Sequence, residues 1–242
     1  GSSSMTISGS LTMVSGMTRT YSGTMTFNAT ATGKTLTFGG LTMANALTFN
    51  GVGGGWTFQD TLSNGSSQVT LTNGSLDFNG QSATFGAFSS SNSNTRTITL
   101  GAAVLVITSW STSTSTNLTL NADTSTITCS NGLSSSGSAG PSLTFNDVIL
   151  EEITAGQTSS LTGTSTFANL TLRNTTAANS VEFRLPTTGT TVTGTFTATG
   201  FDAASKRIFV RSSTSGGSAT SQVTAAVVSL TNVDFQDIVG AG

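Results

Sequence analysis

One short unit recurs along the whole chain: two apolar residues on either side of a single residue, most often Thr. It appears as Leu36-Thr37-Phe38, Leu47-Thr48-Phe49, Trp56-Thr57-Phe58, Val69-Thr70-Leu71, Ile98-Thr99-Leu100, Leu118-Thr119-Leu120, Ile127-Thr128-Cys129 and Leu143-Thr144-Phe145. Other members change the middle residue, as in Leu76-Asp77-Phe78, Leu105-Val106-Ile107, Val181-Glu182-Phe183, Ile208-Phe209-Val210 and Val233-Asp234-Phe235. In an extended strand alternate side chains face opposite ways, so each unit sends two apolar groups inward and one outward. Between the units lie Asn50-Gly51, Asn64-Gly65, Asn73-Gly74, Asn79-Gly80 and Asn131-Gly132, residues that tolerate the left-handed backbone of sharp corners. Helix formers are scarce where a helix would need them.

Strands this short bury little alone and must stack on copies of themselves. Triplets begin at 36, 47, 56, 69 and 76, then at 98, 105, 118 and 127, intervals often shorter than the hairpin spacing of a β-sandwich. The pattern therefore predicts an all-β fold, a right-handed parallel β-helix (β-solenoid) of roughly ten irregular coils, with a β-sandwich as the alternative. Coils of about 20 to 25 residues stacked near 4.8 Å give a rod of about 50 Å. Residues 5–242 are expected to form a single solenoid segment of a longer chain. Residues 1–4, Gly-Ser-Ser-Ser, are expected to be a cloning remnant or an internal cut.

Composition narrows the chemistry. Thr and Ser number 49 and 38 of 242 residues, whereas charged residues make up 7%, with a formal charge of −2. That profile excludes a nucleic-acid binder and an acidic tail. His is absent, which removes the usual general base and the commonest transition-metal ligand, and Cys129 stands alone and is expected in the core. The longest apolar stretch, Ala102 to Ile107, is far too short to cross a bilayer as a helix, so no membrane insertion is expected.

From Trp56 onward the order of motifs resembles Gly/Ser/Thr-rich β-helix repeat regions of bacteriophage tail-fibre and virion surface proteins and of related bacterial surface adhesins. The residues that carry this are Trp56-Thr57-Phe58, the run Gly74-Ser75-Leu76-Asp77-Phe78-Asn79-Gly80, Arg96-Thr97-Ile98-Thr99-Leu100-Gly101, the run from Gly163 to Leu172, and Val228 to Ile238. The resemblance implies a non-enzymatic structural protein outside the cell, on a virion or bacterial surface. It acts there as a spacer, with attachment to a host or a glycan in view. Implied partners are copies of itself or adjoining fibre segments. A homotrimer would bury outward apolar residues such as Phe209 or Val106. No catalytic residue is carried across, and no cofactor is implied.

Two other readings compete. Polysaccharide-degrading β-helix enzymes need carboxylate pairs across a sugar cleft, and the candidates are Glu151 with Glu152, Asp234 with Asp237, and Asp202 near Lys206 and Arg207. Alternation puts Glu151 and Glu152 on opposite faces and Asp234 outward, so solvated charges are the expectation. Calcium would draw on Asp77, Asp123, Asp147 or Asp202, but no calcium-loop motif is present and no metal site is expected. An ice-binding solenoid needs Thr-x-Thr on every coil, and the units at 24–26, 35–37, 97–99, 126–128 and 195–197 are too irregular. Trp56 is expected in the core. Trp110 and Tyr21 are the candidate platforms for a glycan, and the segments Ser89 to Asn94 and Ser212 to Ser221 are the candidate binding loops.

Overall fold

The computed structural model describes residues 1–152, 158–175, 181–201, 206–214 and 220–241, with the backbone alone at 137, 138 and 241. Among these residues there are twenty-two strands and no helix, and every strand pairing is parallel. The chain winds as a β-solenoid of about ten turns. The sandwich alternative fails on the parallel pairing, since hairpins would pair antiparallel.

Three ladders of strands make three faces. On the first, Met5, Met25, Leu47, Val69, Phe88, Trp110, Leu133 and Leu161 stack in register. The second carries Leu11 under Leu36 and Phe58, and beside them Trp56, Leu76, Ile98 and Leu120. On the third, Leu62, Ala83, Leu105, Ile127, Val148, Leu170, Phe196 and Val228 form one unbroken column. Successive members of that column are 21 or 22 residues apart as far as Leu170, then 26 and 32. The repeat is regular where the corners are short and lengthens toward the C-terminal end.

The triplets behave as alternation requires. Leu36 and Phe38, Leu47 and Phe49, Trp56 and Phe58, and Ile98 and Leu100 are all buried, while the residues between them are half-buried on the outside. Cys129 is buried in the same interior. Aromatic rings run through it in contact: Phe38, Phe58 and Phe78 at 5.3 and 4.9 Å between centroids, then Phe88 on Trp110 at 4.3 Å and Phe145 on Phe167 at 5.6 Å. Each such pair adds about 1 kcal/mol beyond burial of its area. The exception is the last coil. Val228, Leu230 and Phe235 point along the core but are 55%, 46% and 42% exposed, because no strand lies over them.

Corners are closed by side chains bonded to backbone. Asn64 Nδ2 donates to the Asn45 carbonyl (2.9 Å), Asn45 Nδ2 to the Gly23 carbonyl (2.8 Å), and both side chains are buried. Gly74 shows why glycine occupies one corner. Its φ is +86°, and a Cβ there would lie 2.5 Å from the Gly54 carbonyl oxygen of the preceding coil. At the N-terminus the Gly1 amino group donates to the Thr20 carbonyl (3.1 Å), so residues 1–4 run beside the next coil.

Candidate functional site

The outer surface is mostly hydroxyl. On the first face Thr6, Thr26, Thr48, Thr70, Ser89, Ser111, Ser134 and Thr162 follow one another in register, one per coil. Thr-x-Thr units scatter over all three faces. Thr126 and Thr128, for example, lie between Val104 with Val106 and Asp147 with Ile149. No face carries the unit on successive coils.

Neither glycan platform stands free. Trp110 is 1% exposed, stacked on Phe88 and in edge contact with Phe145 at 5.9 Å, and its Nε1 donates to the buried Thr112 hydroxyl (3.0 Å). This corrects the expectation of a surface indole. The strand Val104–Thr114 runs through a corner, where one residue shifts the alternation and turns Trp110 inward. Tyr21 is half-buried against the core, and its hydroxyl donates to the Thr24 carbonyl (2.9 Å). Of the outward apolar residues, Val106 is 48% exposed and Phe209 is half-buried.

The candidate loops divide. In Ser89 to Asn94, Ser90 is buried, the Ser91 and Ser113 hydroxyls share a hydrogen bond of 2.7 Å, and Asn94 Nδ2 donates to the Thr72 carbonyl (3.0 Å). This loop is stitched to the coils on either side. Within Ser212 to Ser221, residues 215–219 lie outside the described residues, while Ser212 and Ser221 are buried.

The carboxylates are dispersed, and most serve the backbone or an arginine. Asp60 accepts from the Phe38 and Gly39 amides (2.7 Å each), Asp77 from Asn79 N (2.7 Å), Asp123 from Gly101 N (3.2 Å) and Asp147 from Asn169 Nδ2 (2.7 Å). Asp234 is exposed and pairs with Arg207 at 2.7 Å, which holds its carboxyl below the usual range. Glu182 pairs with Arg184 and Arg211. Although burial opposes it, the balance of these bonds holds its carboxyl below the usual carboxylate range. Among the described residues no three of Asp, Glu and Cys come together to hold a metal. Asp202, named for both metal and catalysis, lies outside them.

Glu151 and Glu152 do point to opposite faces. Glu151 lies outside and pairs with Arg173 at 2.6 Å, while Glu152 is inside and 0% exposed. The expectation of solvated charge is thus wrong for Glu152, whose carboxyl burial pushes up to about 7 against the small opposing effect of the Ser159 hydroxyl. Arg96, which composition did not single out, is also inside, at 1% exposed. Its guanidinium donates to the carbonyls of Ser90, Asn94 (2.9 Å) and Thr116 (2.7 Å), so it closes a corner without a carboxylate partner.

A surface depression of about 470 Å³ is a notch between corners lined by Val52, Gly53, Asn73, Gly74 and Asn94. No titratable residue lines it, and Asn73 Nδ2 is already engaged with Asn50 Oδ1 at 2.7 Å. Among the described residues that line it, no convergent groups surround a reacting atom. Comparison with protein-family models, with curated proteins and with solved structures finds no match for this chain.

Proposed function

We propose that the chain is a rigid structural segment of an exterior fibre or surface protein, on a phage virion or a bacterial cell, that acts as a spacer. The observation that carries this reading is the third-face column from Leu62 to Val228, an apolar ladder unbroken through eight coils. A chain that spends its apolar residues on a continuous axis is built to hold distance, and its hydroxyl coat leaves little for charged partners to grip.

Partners in this reading are adjoining fibre segments or copies of itself, met at the ends. Of the twelve exposed large hydrophobic residues among those described, Met5, Val14 and Met17 lie at the first coil and Val227, Val228, Leu230, Phe235 and Val239 at the last. Further parallel strands laid on these edges would satisfy their backbone groups and cover their side chains. A lateral homotrimer would use Val104 and Val106, 45% and 48% exposed in mid-rod. Attachment to a host glycan would have to use loops and Tyr21, not Trp110.

Immunogold labelling of intact particles or cells of the source with an antibody to the folded chain tests the reading. Decoration of projecting fibres is expected. An epitope reached only after lysis would refute an exterior role.

A further inference from the structure

Glu152 closes the strand Leu143–Glu152, in which Val148 and Leu150 also face the core, so alternation carries its carboxyl inside. Asn174, itself buried, is its partner in register on the next coil. The buried Ser159 hydroxyl is near enough to favour the ionised carboxyl slightly, but it does not reach hydrogen-bond geometry, and both carboxyl oxygens are left without a hydrogen bond. Arg96 shows the contrast, since its buried charge is met by carbonyls, among them those of Ser90, Asn94 and Thr116.

Among the described residues no cation faces Glu152. Strands Thr126–Cys129 and Thr158–Thr162 carry no charged residue. Arg173 and Glu151 lie on the outer surface and pair with each other, and Glu182 is taken up by Arg184 and Arg211. The adjoining segments 153–157 and 176–180 lie outside the described residues, and their sequences, Ile-Thr-Ala-Gly-Gln and Thr-Ala-Ala-Asn-Ser, contain no titratable group. An ionised carboxylate in this place has neither water nor a counter-charge, so it must keep its proton or expose itself.

We propose that Glu152 makes the junction of the seventh and eighth coils a proton-operated seam, shut while the carboxyl holds its proton and opened locally when it loses it. The sign follows from linkage. The folded group titrates near 7 and an exposed one near 4.5, so its contribution is complete below about 4.5 and is lost as the pH rises through 7. Because a solenoid coil depends mainly on its neighbours, the loss appears as local opening.

Hydrogen exchange read by mass spectrometry at pH 5 and pH 8, corrected for intrinsic rates, tests the seam. Peptides covering 143–152 and 158–174 are expected to lose protection on the order of 100-fold at the higher pH, the window set by the two titration points. Peptides from the third to fifth coils keep theirs. In Glu152→Gln, which holds the neutral form permanently, the seam peptides stay protected at both values. Equal protection at both pH values in the unaltered protein, or the same loss in Glu152→Gln, overturns the proposal. Should Glu152→Gln not fold, infrared spectroscopy of the unaltered protein decides. A protonated-carboxyl band that disappears between pH 6 and 8 supports the seam, and its absence at pH 6 refutes it.

Discussion

Replacing Arg96 by Met separates the two roles a buried arginine can have. Met keeps the apolar stem but removes every donor, leaving the carbonyls of Ser90, Asn94 and Thr116 without their partner. An orphaned buried acceptor costs about 1 to 3 kcal/mol, and these three sit at a corner between the fifth and sixth coils, so the lower half of that range applies. Against the loss stands relief from burying a charge that has no carboxylate, a burial that already pulls its pKa below the usual guanidinium value. The balance is a destabilisation of about 3 kcal/mol. Urea unfolding followed by circular dichroism would show it as a lower midpoint at unchanged slope. Arg96→Lys, with fewer donors on a narrower head, should fall between the two. If Arg96→Met were as stable as the parent, the corner carbonyls would have another source of hydrogen bonds, and the reasoning would fail.

Three further outcomes follow from buried groups and corners. Trp110→Ala should cost about 3 to 5 kcal/mol, read by denaturant unfolding, because the indole fills the interior beside Phe88 and Phe145; a change of under 1 kcal/mol would place it back at the surface. The Cys129 thiol, pushed up to about 12 by burial, should resist a thiol reagent at pH 8 until the chain is unfolded, and rapid labelling of the native protein would contradict that. Gly74→Ala should lower stability by more than 1 kcal/mol, since it meets a positive φ and the Gly54 carbonyl together, and a neutral result in the same unfolding assay would show that the corner can shift.

Alternation within strands made most of the interior legible, because the inward residues of each strand are two apart in sequence. The same rule, applied to charged residues, would have found two that were missed. Arg96 shares parity with Ile98 and Leu100, and Glu152 with Val148 and Leu150. The expectation of solvated charge fails at Glu152, and Arg96 is buried as well. Corners were the illegible part. A strand that turns from one face to the next can gain a residue without leaving the ladder, so the parity of Trp110 does not follow from Leu105 and Ile107. Which triplets share a face was equally hidden, since coil length varies between 21 and 32 residues on the third face alone.

Residues far apart in sequence are neighbours along one axis, a coil at a time. Pulsed electron-spin distances in a variant lacking Cys129 test it, with spin labels at Thr26 paired in turn with Ser111 and Thr162. These positions lie four and six coils apart on the first face. The stacked solenoid predicts separations near 19 and 29 Å, rising by about 4.8 Å per coil. Separations that do not grow with coil number, or that swing between near and far as a folded-back sandwich would require, would contradict it.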